Sequence, residues 1–209
     1  MTELLQEFNL MALKNIFVKQ THEIGEWIGF ETRNKYQIQD EQGRTIGFAA
    51  EQQKGIFGFL LRQFVGHWRT FEIHIFNDVR QKLWVAKHPF RFFFQRLELN
   101  DASGKFLGAI QRRFAILSKR FDVEDAQGRV ILKVRSPIWK IWTFPFLRDG
   151  REVAVIRKKW SGILSEALTD RDNFMIEFKD DKLNQNERSL MLAASLFIDL
   201  LYFERKASN

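Results

Sequence analysis

The sequence contains no cysteine, only three prolines and only two tyrosines among its 209 residues. The absence of cysteine excludes a disulfide scaffold, a thiol nucleophile, a cysteine zinc site and palmitoylation. The scarcity of proline leaves few strands interrupted. Phenylalanine is abundant, with 22 residues, and six tryptophans accompany it. These side chains supply a large apolar volume from residue types that favour strands and packed cores.

The chain carries a formal net charge of +7, from 33 Lys and Arg against 26 Asp and Glu. A surplus of this size favours anionic partners such as lipid head groups, nucleic acid or phosphorylated ligands, although a basic protein need not bind any of them. Glu3 and Glu7 stand where a secretory signal would carry positive charge. We therefore expect a mature, cytoplasmic protein.

A short turn sequence recurs along the chain, in which an Asp is usually followed by Gly, then Lys or Arg, then an apolar run. The copies begin at Asp40, Asp78, Asp101, Asp125 and Asp149. Asp can accept hydrogen bonds from the backbone two residues on, and Gly adopts the positive φ that closes a hairpin. Alternating apolar residues in the flanks are typical of strands. Five hairpins predict ten strands, and further strands near 24–30 and 173–178 give about twelve, which would leave long edges unless the sheet closes into a barrel.

The most apolar stretch lies between Arg188 and Glu204 and contains fifteen residues, one of which is Asp199. As a helix it would be roughly 22 Å long, against roughly 30 Å of hydrocarbon core to cross. Its apolar residues occupy every face, which favours a core helix over a membrane anchor or a membrane-surface helix. We therefore predict a mainly β fold: a closed twelve-stranded antiparallel barrel that encloses a hydrophobic C-terminal helix over 187–204.

Three stretches resemble the phospholipid scramblase family: FETRNKYQIQDEQGRTIGFAAEQ from Phe30, KKWSGILSEALTDRDNFMIEF from Lys158 and LFIDLLYFE from Leu196. The resemblance implies a Tubby-like barrel, a fold that this family shares with LURP-one-like proteins. It also implies calcium-stimulated movement of phospholipids between leaflets, membrane-lipid binding or regulation of transcription. Because no linker or low-complexity segment appears, we expect a single domain over 1–209, with 1–23 as a lead-in.

The acidic segment DRDNFMIEFKDD resembles the calcium-binding segment proposed for the family, with Asp170, Asp172 and Asp181 in the matching first, third and last places. Calcium requires several oxygens on a loop that can wrap around the ion. The NFMIEF run within the segment alternates apolar and polar residues, however, which is typical of a strand with one buried face. Two interpretations of this segment therefore stay open: a calcium site, or a turn followed by a strand. Calcium is the only cofactor that the sequence suggests.

Clustered basic residues are the second candidate site. Tubby-like domains bind phosphoinositide head groups through paired basic residues, so the resemblance implies an anionic phospholipid or membrane surface as partner. Each charge close to such a surface contributes about 1 kcal/mol. The candidate lipid-binding residues are Arg62, Arg69, Arg112, Arg113, Lys119, Arg120, Arg157, Lys158 and Lys159. The alternative is a set of solvated charges scattered over different faces.

The apolar segment GIFGFLLRQFVGHW, at 55–68, is the third candidate site. It could form a membrane-dipping loop, since an exposed apolar patch usually marks an interaction surface. A short packed helix or an extra strand is the alternative.

No catalytic motif is evident, because the four histidines lack metal-ligand spacing and Ser161 lacks a Gly-x-Ser-x-Gly elbow. We expect a non-enzymatic protein that binds anionic phospholipid, peripheral on the inner face of the plasma membrane. The alternative is a cytosolic barrel that binds a protein partner, a small ligand or nucleic acid. Nucleic acid is disfavoured, because no helix-turn-helix or zinc module appears.

Overall fold

The computed structural model describes residues 8–21, 32–52, 70–159 and 173–202, with the side chains of 32, 33 and 159 excepted. Within these ranges twelve antiparallel strands form a closed barrel around one α-helix. The strands are β1 Asn15–Thr21, β2 Thr32–Gln39, β3 Thr45–Gln52, β4 Phe71–Asn77, β5 Lys82–His88, β6 Arg96–Asp101, β7 Phe106–Arg113, β8 Ser118–Asp125, β9 Val130–Pro137, β10 Thr143–Arg148, β11 Arg151–Lys159 and β12 Asn173–Phe178. The helix α1 spans Gln185–Tyr202, and a 3₁₀ helix spans Leu10–Ala12.

The strands follow one another around the barrel in chain order, and the pairing of β1 with β12 closes it. Because neighbouring strands are antiparallel, successive connections alternate between the two ends of the barrel. The end with the connections β2–β3, β4–β5, β6–β7, β8–β9 and β10–β11 is called the turn end. The opposite end, which carries the β5–β6, β7–β8 and β9–β10 connections, is called the loop end. The predicted closed twelve-stranded barrel with a C-terminal helix is confirmed.

Three of the repeated turns are built as the sequence predicts. The Asp101 carboxylate accepts hydrogen bonds from the N–H groups of Ser103 and Lys105, both at 2.9 Å. Asp40 and Asp125 accept the equivalent pairs of bonds. The glycine three residues after each Asp has a positive φ, of 90°, 77° and 78° respectively. This conformation is open to Gly at little steric cost, so the repeat specifies tight hairpins.

Two turns depart from the pattern. In the β4–β5 connection Asn77, and not Asp78, accepts the N–H of Gln81, at 2.7 Å. Arg80 there adopts the positive φ, 63°, that glycine takes in the other turns. The prediction that Asp78 leads this turn was therefore wrong by one residue, because an Asn side chain offers an equivalent acceptor oxygen. In the β10–β11 connection the Asp-Gly pair at 149–150 is itself the two-residue turn, with φ of 50° and 80°.

The first strand lies earlier in the chain than the sequence suggests. β1 falls inside the 1–23 segment that we interpreted as a lead-in. Its Ile16 and Val18 are fully buried and pair in register with residues 176 and 174 of β12. A strand at this position closes the barrel. The strand predicted near 24–30 lies outside the described residues.

The helix α1 fills the inside of the barrel, and its residues from Glu187 to Leu201 are all buried. It begins two residues before the predicted 187. Burying a Leu, Ile or Phe side chain contributes about 1.5–3 kcal/mol, so a helix that is apolar on every face suits the inside of the barrel. Among the described residues, no helix has both the length and the apolar character needed to cross a membrane.

Two polar side chains at the start of α1, those of Asn184 and Glu187, form hydrogen bonds locally. Asn184 and Glu187 exchange hydrogen bonds, with the Glu187 N–H donating to the Asn184 side chain at 2.9 Å and the Asn184 N–H donating back at 3.0 Å. This capping box fixes where the helix starts. The buried Arg188 guanidinium donates to the carbonyl oxygens of Leu10 and Leu13, at 2.9 and 2.6 Å. The segment before β1 is thereby tied to the start of the helix at the turn end.

Candidate functional site

The loop end exposes many large apolar side chains. Phe93 is 79% exposed, Ile116 78% and Trp139 72%. Elsewhere in the described residues, the exposed large apolar residues are only Met11, Val79 and Val130. We call the loop-end set the apolar rim; it consists of Phe90, Phe92, Phe93, Phe94, Phe114, Ile116, Leu117, Ile138, Trp139 and Ile141. Exposure of this extent on one end of a barrel is typical of an interaction surface.

The local sequence explains why the β5–β6 part of the rim does not join the barrel wall. Pro89 follows directly after β5, and the FRFFF run at 90–94 has no alternation of apolar and polar residues. Such a run cannot place one face inward and the other in solvent. The strand β6 accordingly begins only at Arg96, after this run.

The segments around the rim are basic and carry no acidic residue. The stretches 89–95, 112–120 and 135–142 contain no Asp or Glu. Their cations are Arg91, Arg112, Arg113, Lys119, Arg120, Arg135 and Lys140. At the turn end, by contrast, each of the five hairpin connections has an Asp in it or beside it. The described part of the barrel therefore has one apolar, basic end and one end where carboxylates and cations are balanced.

Two of the predicted basic residues meet at the C-terminal end of α1. The Lys119 ammonium donates to the Ile141 carbonyl at 2.6 Å and lies 4.4 Å from the centroid of the Phe144 ring. The Arg112 guanidinium lies 5.9 Å from the centroid of the Tyr202 ring. Cation–π contacts of this kind hold both charges close to the rim.

Three other predicted residues are engaged by carboxylates. Arg113 pairs with Asp122 at 2.6 Å on the outer wall. Arg157 pairs with Glu177, and this hydrogen bond is the main reason that the pKa of Glu177 is lowered. Lys158 is buried inside the barrel and pairs there with a carboxylate of α1, so it is not part of the surface.

Several predicted positions lie outside the described residues or lack a described side chain. They are Arg62, Arg69, Lys159, Asp170, Asp172 and the 55–68 segment. Asp181 is described and stands exposed in the turn that follows β12. β12 itself has the alternating burial predicted for a strand. No cluster of metal-ligating side chains occurs within the described ranges, and the three-residue calcium site stays a prediction.

Neither Arg135 nor any part of the apolar rim was predicted from the sequence. A usable signal was present, because the rim segments combine aromatic residues without period-two alternation, adjacent cations and no acidic residue. Only the barrel topology, however, shows that three segments far apart in sequence share one end.

The fold and the site together define a class of protein: a twelve-stranded barrel with a central helix and one amphipathic end. Residues 5–205 match the family model described as Scramblase, and the chain belongs to that family. Phospholipid scramblase 1 of Homo sapiens is 28% identical over 215 residues, which cover 96% of this chain and 66% of that protein. Phospholipid scramblase family member 5 of Homo sapiens is 24% identical over 221 residues, covering 99% and 78%.

The chain spans just under two thirds of the length of the scramblase 1 relatives, 66% for the human and 64% for the Mus musculus protein. An X-ray structure of a protein from Arabidopsis thaliana aligns with a TM-score of 0.48 at 13% identity, covering 90% of this chain and 91% of that one. A score this low supports no inference about function.

Proposed function

We propose that this protein binds anionic phospholipid at a membrane surface through its loop end. The observation that carries the proposal is the coincidence of the apolar rim with basic segments free of Asp and Glu. Membership of the scramblase family supports a phospholipid-related function. The inner face of the plasma membrane, where anionic lipid is concentrated, is the surface that fits such a charge distribution.

The two components of the site act at different ranges. Cations near an anionic surface contribute about 1 kcal/mol each and are screened within a Debye length of about 8 Å at physiological salt. Apolar side chains that enter the acyl boundary contribute about 1.5–3 kcal/mol each when fully buried. Charge therefore brings the loop end to the membrane, and the rim retains it there. At the turn end each hairpin carries Lys or Arg beside its Asp, so that end lacks the surplus of positive charge that the loop end offers.

Calcium-stimulated movement of lipid between leaflets is a further activity that we infer from the family alone. Repeating the flotation below with and without calcium tests only whether calcium affects binding, and a calcium-dependent increase would support a role for Asp181 and its predicted partners.

Flotation with vesicles tests the proposal. Wild-type protein is expected to float with vesicles that contain phosphatidylserine, to float less in high salt, and to float poorly with phosphatidylcholine alone. Phe93→Glu and Trp139→Glu should weaken binding to anionic vesicles about tenfold or more, because each loses an inserting side chain and adds a repelled charge.

Val79→Glu is the matched control, because Val79 is an exposed apolar residue at the turn end, 67% exposed. This variant should float like the wild type. The proposal is wrong if Val79→Glu weakens binding as much as the rim substitutions do, or if wild-type protein does not float with anionic vesicles at low salt.

A further inference from the structure

Three arginines lie side by side on the outer face of neighbouring strands at the loop end. Arg113 of β7 is directly opposite Arg120 of β8, and Arg120 is directly opposite Arg135 of β9. All three side chains are exposed. Like charges directly opposite one another across a strand pair are destabilising unless an anion lies between or beside them.

Among the described side chains, carboxylates pair with one of the three arginines. Arg113 pairs with Asp122 at 2.6 Å and with Glu124 at 3.4 Å. The Arg120 guanidinium donates to the neutral Ser118 hydroxyl at 3.2 Å. Within the described ranges, neither Arg120 nor Arg135 forms an ion pair with a carboxylate, so two adjacent guanidinium groups share an uncompensated double charge. Guanidinium groups suit bidentate binding of phosphate oxygens.

A groove begins at these two arginines and runs between the β7–β8 and β9–β10 connections. Arg120 and Arg135 line its basic part. Its apolar walls are formed by the side chains of Phe114, Ile116, Leu117 and Trp139. A charged part followed by an apolar part matches the order of groups in a phospholipid, which has a phosphate at one end and acyl chains at the other.

Hydrogen bonds between the two connections hold the groove in place. The Ile138 N–H donates to the Leu117 carbonyl at 3.3 Å. The Lys119 ammonium donates to the Ile141 carbonyl at 2.6 Å, which joins the start of β8 to the β9–β10 connection. A site formed before the ligand arrives loses less entropy on binding.

We propose that this groove binds one anionic phospholipid molecule, with its phosphate between Arg120 and Arg135 and its acyl chains along the apolar walls. The inference rests on the proposed function and adds to it a single-lipid site within the membrane-binding end. The groove differs from the rest of the rim because it binds the head group of a single lipid, whereas the rim as a whole binds a charged surface.

Calorimetric titration with dihexanoyl phosphatidylserine, kept below its critical micelle concentration, tests the groove without a membrane. Wild-type protein should bind one lipid per chain. The double substitution Arg120→Gln, Arg135→Gln should weaken this binding about tenfold or more, because two charge-assisted contacts are lost. The matched control is Lys105→Gln, Arg151→Gln, which removes two exposed cations at the turn end and should bind like the wild type.

Three further comparisons distinguish the proposed groove from the proposal that the loop end binds a membrane. Inorganic phosphate should bind much more weakly than the short-chain lipid, and equal affinity would show that the apolar walls do not contribute and would overturn the lipid assignment. Flotation of wild-type protein without binding of the monomeric lipid would overturn the groove and leave the proposed function standing. Binding of the monomeric lipid by wild-type protein and by both double variants alike would also overturn the groove.

Discussion

Three polar side chains meet inside the barrel, on the face of α1 that carries Asp199. The Tyr36 hydroxyl donates to the Asp199 carboxylate at 2.8 Å, and the Lys158 ammonium lies 3.9 Å from the same carboxylate. Asp199 is only 1% exposed. A buried ion pair is weak evidence of added stability, but removing one partner leaves an uncompensated charge in an apolar interior.

Substitution of Asp199 by Leu should therefore destabilise the protein by about 3–5 kcal/mol, because Lys158 loses the carboxylate beside it. The double variant Asp199→Leu, Lys158→Met should recover part of that loss, since the buried Lys158 ammonium is then removed together with the carboxylate. Urea unfolding measures both free energies. A single Asp199→Leu variant as stable as the wild type would show that the pair does not matter to the fold.

At the residue scale the sequence could predict which side chains are buried only where a pattern repeats. Lys158 stands in a run of basic residues at 157–159, which favours a surface position. The alternation of β11 nevertheless directs Lys158 inward and Arg157 outward, to Glu177. The register that decides this depends on pairing with β10 and β12, which the local sequence does not contain.

At the scale of the elements, the turns were the most predictable part of the fold and the loops the least. An Asp with Gly three residues on determines its own hairpin through local hydrogen bonds, as at Asp101. No local hydrogen-bonding pattern identifies the rim segments. Even among the turns the repeat can be concealed, because in the second turn Asn77 takes the place of the expected Asp.

The turn carboxylates make stability depend on pH. The hydrogen bond from the Ser103 hydroxyl, with further bonds in the turn, lowers the pKa of Asp101 below its ordinary value of 3.8. The unfolded chain then binds a proton more readily than the folded chain does, so this contribution to stability is complete above about pH 3.8 and is lost as the pH falls through the folded pKa.

The substitution Asp101→Asn keeps an acceptor oxygen, as Asn77 does in its turn, but removes the charge. The wild type should be more stable than this variant at about pH 6, and the difference should shrink at about pH 2.5. The midpoint urea concentrations of unfolding, determined for both proteins at the two pH values, measure this difference in stability. Asp78→Asn, in the turn that Asn77 caps, controls for the loss of one carboxylate. A difference that is the same at both pH values would contradict this explanation.

At the scale of the whole molecule, the two ends of the barrel differ because an antiparallel meander sends alternate connections to opposite ends. Every second connection is a tight hairpin with an Asp, and the described connections between them are apolar, with cations in or beside them. The apolar residues of the central helix are buried, so within the described ranges the rim is the main apolar surface left exposed. The sequence predicted the closed barrel and the buried helix, but the meeting of the rim segments required the topology.

The central claim is that the loop end, and not the turn end, contacts anionic lipid. Because the sequence has no cysteine, single cysteines can be introduced and labelled one at a time with an environment-sensitive fluorophore. Phe93→Cys and Ile116→Cys report on the loop end, and Val79→Cys and Ser103→Cys on the turn end. On addition of phosphatidylserine vesicles, the two loop-end labels alone should show a blue shift and increased emission. Equal shifts at both ends, or a shift confined to the turn end, would contradict the claim.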